Sequence, residues 1–341
     1  MDMQTSTRIV VLGKTGSGKS SLANTILGAN VFHINHAAVS DKSICQAETR
    51  VINGKPVTLI DTPGFFDTCA SEESFKQELV RCFTETAPGP HAILIVLKVE
   101  RYTAQEQELI QKINQYFSAE AFKFAIVVFT HGDQLQPDQT IEDFVRPNVA
   151  LRDLVQKCGG RCHVVDNRHW NKPSQDKMRS NQFQVAKILA TIDGISEANN
   201  NGYYTNDMFQ KVMDELEKEE ERIRQSAVAS MSPVQIRAQA RSSVNNTLWM
   251  KLAGVAMGAL IGAFLGVMDM VKTSLMNWDA SGISGRMLAS AAGTGAMRGV
   301  MVGYQAGHNA TSMNDAVERT MENLTRGNFS GSLTNDTNNN N

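Results

Sequence analysis

The stretch that decides the interpretation of this chain is GKTGSGKS, from Gly13 to Ser20. It fits the pattern GxxxxGKS and stands between an apolar strand-like run, Arg8–Leu12, and a predicted helix, Ser20–Leu27. In such a loop the backbone N–H groups turn around a phosphate, and the following helix presents the positive end of its dipole to the same anion. The context predicts a nucleoside triphosphate site made of Gly13, Lys14, Thr15, Gly16, Ser17, Gly18, Lys19, Ser20 and Ser21.

A second motif, DTPG at Asp61 to Gly64, follows another apolar strand, Val57–Ile60. A carboxylate at a strand end can hold Mg²⁺ through water, and a glycine N–H can meet a γ-phosphate. We therefore expect Lys19 and Gly64 to contact phosphates. We expect the Ser20 hydroxyl and the Asp61 carboxylate to hold Mg²⁺.

A third motif, THGD at Thr130 to Asp133, follows the apolar strand Phe124–Phe129. An aspartate at its end can accept two hydrogen bonds from guanine N1 and N2, so a buried carboxylate there would reject ATP. His131 would cover the base by stacking. After a further strand, the segment VVDN ends at Asn167, which would contact the base from the other side. An ATP-using kinase or transporter ATPase would require Asp133 to be incidental.

Together these segments resemble the GTPases of immunity-associated proteins (GIMAP, the immune-associated nucleotide-binding group). The resemblance covers about residues 7–205 and rests on GKTGSGKSSLANTILG, LIDTPGFFDT, ERYTAQEQ, FTHGDQL and CGGRCHVVDNR. It implies an α/β P-loop GTPase fold, with a mostly parallel doubly wound sheet flanked by helices. It also implies GTP/GDP and Mg²⁺ as cofactors, and GTP-dependent pairing of G domains into a homodimer or homo-oligomer. The family's site residues carry over onto Lys19, Ser20, Asp61, Gly64, Thr130, Asp133 and Asn167.

Switch I departs from the family's pattern. The family has a threonine shortly before a cysteine, whereas this chain reads SDKSIC from Ser40 to Cys45. Lys42 stands in the expected place, but a hydroxyl is all that the metal needs, so Ser43 or Ser40 would substitute as the ligand.

Hydrolysis is predicted to be slow without help. Phe65, followed by Phe66, stands where a Ras-like GTPase has its water-orienting glutamine, and an apolar pair cannot orient water. Arg101, in the ERYT segment, is the candidate catalytic residue, supplied in trans when two G domains pair. The alternative is an ordinary surface or interface arginine, paired to Glu100 or Glu106. An arginine supplied in trans in this way is called an arginine finger. A protein without a working arginine finger would be a catalytically inert, GTP-bound assembly scaffold.

Composition favours a cytoplasmic globular protein with an appendage. The chain has 341 residues, 42% of them hydrophobic, and a formal net charge of −2, which does not suggest nucleic-acid binding. Its five cysteines lack metal-ligand spacing, so free thiols in a reducing compartment are expected. The N-terminus shows no apolar signal segment before the first strand, so the G domain is expected in the cytosol.

Beyond a G domain at 1–205 the sequence predicts an all-α extension. Residues 206–247 form a charged helical segment in which Phe209, Val212, Leu216 and Ile223 recur at helical spacing. That apolar edge either lies on the G domain or makes a coiled-coil contact with a partner.

Residues 248–308 contain two rows of glycines at four-residue spacing, Gly254 to Gly266 and Gly295 to Gly307. Such rows let helices approach closely, as in membrane helix pairs. A helical hairpin associated with an intracellular membrane, on its cytoplasmic face, is one interpretation, and a soluble hairpin covering an apolar patch is the other. Arg298 would be costly at membrane depth. The polar tail, 309–341, is predicted to be disordered.

Overall fold

The computed structural model describes residues 6–34, 45–62, 72–170, 177–226 and 231–252. Within these ranges the strands are β1 (Thr7–Leu12), β2 (Gln46–Ile52), β3 (Lys55–Asp61), β4 (Ala92–Lys98), β5 (Ala125–Thr130) and β6 (Cys162–Val164). The helices are α1 (Lys19–Leu27), α2 (Glu72–Thr86), α3 (Ala104–Phe117), α4 (Ile141–Val145), α5 (Val149–Lys157), α6 (Asn181–Ala198), α7 (Asp207–Ser226) and α8 (Pro233–Leu252).

The six strands form one sheet in the order β2-β3-β1-β4-β5-β6. All neighbours are parallel except β2 and β3, which pair antiparallel. The order runs outward in both directions from β1, as in a doubly wound sheet, which confirms the predicted fold class. In such a sheet, ligands bind beyond the carboxyl ends of the parallel strands. The carboxyl ends of β1, β3, β4, β5 and β6 therefore lie along one edge.

The central strand β1 is buried on both faces. Ile9 and Val11 belong to a core that also contains Leu22 of α1 and Ile188 of α6. Strand alternation directs Val10 and Leu12 to the opposite face, and both are also fully buried. Apolar residues in unbroken succession are what a doubly covered parallel strand requires.

Strand β2 has no counterpart in the sequence prediction. Its sequence, QAETRVI, is mostly polar, and its residues are all exposed or only partly buried. An antiparallel edge strand needs only one apolar face, so it lacks the hydrophobic run that marked its neighbours. Strand β5 begins one residue later than predicted and includes Thr130. Strand β6 ends at Val164, which leaves Asp166 and Asn167 in the following loop.

Helix α7 lies on the G domain. The ring of Phe209 stands 4.5 Å from that of Phe83 in α2 and 6.4 Å from that of Phe117 in α3. Val212 and Leu216 are also fully buried. Of the two interpretations of this apolar edge, packing on the G domain is therefore the one that the structure shows.

The chain divides into two units, Met1–Ala238 and Gln239–Asn341, and helix α8 crosses this boundary. Pro233 begins α8 instead of only interrupting a polar stretch, because proline fits the first helical position. The side chains of Ser232 and Gln235 cap this end reciprocally, with Gln235 Oε1 accepting from the Ser232 N–H at 2.9 Å. In the first unit, Arg237 of α8 pairs with Glu220 of α7 at 2.5 Å.

In the part of the chain that the structure describes, no helix has both the length and the apolar character needed to cross a bilayer. The predicted glycine-striped hairpin lies outside the described residues from 253 onward, and so does the whole of the predicted tail.

Candidate nucleotide site

The loop between β1 and α1 has the geometry of a phosphate cradle. Gly18 adopts the left-handed conformation, with φ 88°, and α1 begins at the next residue, Lys19. That conformation favours glycine, and it turns the chain sharply so that the N–H groups of the first helical turn face the loop. The fold thus supplies the helix N-terminus that the GxxxxGKS pattern predicted.

The side chains of Lys19 and Lys14 contact different partners. Lys19 is largely buried, and its Nζ donates to the main-chain carbonyl of Lys14 at 3.0 Å. The Lys14 ammonium contacts Glu106, and lies 3.2 Å from Glu100. Both lysines were predicted to bind nucleotide, but the side chain of Lys14 is engaged by two carboxylates. Its main chain is part of the phosphate loop, where its carbonyl accepts from Lys19.

Ser20 and Asp61 meet at the predicted metal position. The Ser20 hydroxyl donates to Asp61 Oδ2 at 2.5 Å. Burial raises the pKa of Asp61, against the hydrogen bond from Ser20 and the charge of Lys19. Its other oxygen, Oδ1, is buried without a hydrogen-bond partner in the described residues. Mg²⁺ prefers hydroxyl, carboxylate and water oxygens, so this pair fits the ion.

Thr130 ties the base side of the site to the phosphate side. Its hydroxyl is fully buried and donates to the carbonyl of Ser17 at 2.7 Å. The hydroxyl of Thr25 in α1 lies 2.9 Å from Oδ1 of Asn167. That Thr130 also binds nucleotide stays a prediction; in this structure its hydroxyl holds the loop after β5 against the phosphate loop.

Asp133 lies in a single 3₁₀ turn, Gly132–Gln134, directly after β5. That Asp133 reads guanine stays a prediction, and in this structure the turn leaves its side chain exposed. The buried acid is Asp166. Burial would raise the pKa of Asp166, but hydrogen bonds from the backbone of His169, from Asp133 and from Arg168 outweigh it and hold the pKa below its usual range.

His169 and Trp170 also belong to this site, and the sequence analysis missed both. His169 Nδ1 lies 3.1 Å from Asp166 Oδ1 and 3.8 Å from Asp133 Oδ2. The indole of Trp170 packs against Gly132, where an added Cβ would stand only 2.5 Å from the ring. The sequence signal that could have identified Trp170 is a large aromatic residue soon after VVDN.

A model of the AIG1 family matches residues 7–223 of the chain. The chain belongs to the AIG1 family. The matched region contains all six strands and most of α7, and it extends past the predicted boundary at residue 205.

Curated relatives of this AIG1 chain support the resemblance stated from its motifs. GTPase IMAP family member 8 of Homo sapiens is 33% identical over 199 residues, which are 58% of this chain and 29% of that protein. Immune-associated nucleotide-binding protein 8 of Arabidopsis thaliana is 35% identical over 215 residues, 62% of this chain and 59% of that protein. The chain thus spans less than two thirds of the length of either relative.

A solved structure similar to this AIG1 chain is that of Toc33 from Arabidopsis thaliana in complex with GDP and Mg²⁺. The TM-score is 0.45 at 18% identity, and the match covers 56% of this chain and 84% of Toc33.

Arg101 is exposed and lies between the two acids that hold Lys14. Glu100 and Glu106 were the alternative partners considered for it, yet both pair with Lys14. Across the described ranges, no carboxylate forms an ion pair with Arg101. The predicted site residues Gly64 and Ser43, with Ser40, Phe65 and Phe66, lie outside the described residues.

Proposed function

We propose that this AIG1 chain is a guanine-nucleotide-binding protein. It binds GTP and GDP with Mg²⁺ through Lys19, Ser20 and Asp61 on the phosphate side and through Asp133 and Asn167 on the base side. Bound Mg²⁺ would neutralise charge on the β- and γ-phosphates. Support comes from the hydrogen bonds of Thr130 and Thr25, which bring the phosphate and base loops together.

Hydrolysis is proposed to be slow in the single chain and faster when two copies pair across their nucleotide faces. The observation that carries this proposal is the exposed guanidinium of Arg101, which has no carboxylate partner in the described residues because Lys14 occupies both neighbouring acids. An arginine so presented is available to a phosphate of a second copy. Such a finger is worth about 10³ to 10⁵ in rate.

The test is GTP turnover per molecule of the full chain over a wide range of protein concentration. We expect specific activity to rise with concentration, and Arg101→Ala to remove the rise while leaving GTP affinity nearly unchanged. Arg152→Ala, at another exposed arginine, is the matched control and should behave as wild type. Flat turnover with GTP retained would instead identify a catalytically inert assembly scaffold.

Membrane association is a second, separable part of the proposal. The domain plan proposed is a G domain, a charged helical extension, an apolar helical segment at 248–308 and a polar tail, working at the cytoplasmic face of an intracellular membrane. The glycine rows of the sequence support it. Flotation of the full chain with lipid vesicles, compared with a chain ending at Leu252, tests it. Equal flotation of the two would contradict it.

A further inference from the structure

Lys14 joins the phosphate loop to the segment that carries Arg101. It follows Gly13 in the loop after β1, while its two partners, Glu100 and Glu106, lie on either side of Arg101. The side chain of Lys14 is 23% exposed and that of Glu106 is 5% exposed. The contact between Lys14 and Glu106 is therefore largely withdrawn from solvent, which distinguishes it from an ordinary surface ion pair.

Glu106 also caps the N-terminus of helix α3. Its Oε2 accepts from the Thr103 N–H at 2.8 Å and from the Thr103 hydroxyl, while its Oε1 meets Lys14. Thr103 is the N-cap of α3 and Glu106 its N3 residue, so the pair forms a capping box. One carboxylate thus fixes the start of α3 and attaches it to the phosphate loop.

Lys14 and Glu106 each stabilise the charged form of the other. Burial would lower the pKa of Lys14, but the neighbouring carboxylates of Glu106 and Glu100 raise it overall. Burial would raise the pKa of Glu106, but the Lys14 ammonium and the hydrogen bonds from Thr103 lower it overall. Both groups are charged near neutral pH, and removing one would leave the other charged in a partly buried place.

We propose that Lys14 is a positioning residue, which holds residues 100–106 against the phosphate loop so that Arg101 is presented on the nucleotide face. This inference rests on the proposed pairing-activated hydrolysis. The main chain of Lys14 also accepts the hydrogen bond from Lys19 Nζ. A single residue therefore contacts both the phosphate-loop lysine and the two acids around the finger.

The test compares Lys14→Met, which keeps the unbranched shape and most of the length of the side chain but not its charge, with Lys14→Arg, which keeps the charge. Lys14→Met should lower turnover at high protein concentration by about tenfold to a hundredfold, the cost of a misplaced catalytic group. The Kd for GDP should change much less, because the main chain of the phosphate loop is intact. Lys14→Arg should restore most of the turnover.

Glu106→Gln is the complementary variant, since its amide oxygen can still accept from the Thr103 N–H while the ion pair is lost. Its effect should match that of Lys14→Met, and the double variant should be no worse than either one, as expected for partners in one interaction. The control is Glu108→Gln on the same helix, which breaks the pair with Lys112 at 2.8 Å and should leave turnover unchanged.

Hydrogen exchange of the free full chain provides a second readout. Amides of residues 100–107 should exchange faster in Lys14→Met than in wild type. Unchanged exchange there, or a rise in the Kd for GDP as large as the loss of turnover, would overturn the positioning role. Wild-type turnover that is flat with concentration would refute the proposed pairing instead, and the exchange rates would still decide whether Lys14 holds this segment.

Discussion

The six-membered ring of the Trp170 indole lies against Gly132 so closely that a methyl group on Gly132 would stand 2.5, 2.8 and 3.0 Å from three of its carbons. Trp170 is buried, and Asp133, the proposed guanine reader, follows Gly132 directly. The ring therefore limits how closely the turn that carries Asp133 can approach Trp170, and so fixes the position of that turn. The shape of the proposed base site is thus set by a contact between two loops, one after β5 and the other after β6.

Gly132→Ala should weaken guanine-nucleotide binding. The new methyl group must displace either the indole or the turn, and overpacking of this kind costs about 1–3 kcal/mol. Titration with a fluorescent GDP analogue would measure the rise in Kd. Gly194→Ala in α6 is the matched control, because its added Cβ meets nothing within 4 Å. It should leave the Kd unchanged and stabilise the fold by up to about 1 kcal/mol. Equal effects of the two substitutions on the Kd would contradict the role of Trp170.

Asp61→Asn should separate function from stability. Burial raises the pKa of Asp61, so the charged carboxylate is unfavourable in the fold without a cation. We expect the nucleotide-free variant to be at least as stable as wild type in urea. GDP release in Mg²⁺ should become at least about tenfold faster, as when a metal site loses a supporting group.

Ser20→Ala is the companion variant at the same site, since it removes the hydroxyl that meets Asp61. Its GDP release in Mg²⁺ should resemble that of wild type in EDTA. If either variant retained GDP in Mg²⁺ as wild type does, the assignment of the metal site would be wrong.

His91 should make the fold sensitive to acid. Its Nδ1 accepts a hydrogen bond from the Arg8 N–H at 3.0 Å, which requires an unprotonated nitrogen. Burial, with the charge of Arg8, lowers its pKa from 6.5 to about 4. A histidine whose pKa is lower in the folded state contributes its full stability above pH 6.5, and that contribution is lost as the pH falls toward 4.

The measurement is the free energy of unfolding in urea at several pH values between 7 and 4. His163, whose burial lowers its pKa to about 4, adds to the same fall, so the informative quantity is the difference between wild type and His91→Gln. The variant should lose less stability over this interval. Substitution of the exposed His33 by Gln is the control, and an equal pH dependence in wild type and His91→Gln would refute the assignment.

Phe209→Ala should destabilise the G domain by about 3–5 kcal/mol, because the ring is fully buried among Phe83, Phe117 and Tyr204. A fragment ending at residue 205 should be destabilised as well, since it lacks α7 and uncovers Phe83. Urea unfolding compares both with a fragment ending at Ser226. Val234→Ala in the full chain, at a side chain left 57% exposed, should change stability by less than about 0.5 kcal/mol. A small effect of Phe209→Ala would mean that α7 is only loosely attached.

The sequence by itself determined the class of fold and the place of the site. Strands β1, β4 and β5 are built on apolar runs, Ile9–Leu12, Ala92–Leu97 and Ala125–Phe129. GKTGSGKS follows β1 directly, while DTPG and THGD begin at the last residues of β3 and β5. These are local signals, because backbone geometry, hydrophobic burial and the glycine-rich turn all depend on residues that are neighbours in the chain. Strand β2 was missed since its polar residues suit an edge, and a polar edge strand resembles a loop in sequence.

Only the tertiary structure decided which side chains serve the site and which support it. Lys14 and Glu106 are far apart in the chain, and so are Thr130 and Ser17, yet each pair is in contact. Motif reasoning predicted that Lys14 and Asp133 bind nucleotide. Only the fold shows that the Lys14 ammonium contacts two acids and that Asp133 is exposed. A charged side chain binds the nearest partner that compensates its desolvation, and that partner is defined only when the strands bring distant loops to one edge of the sheet.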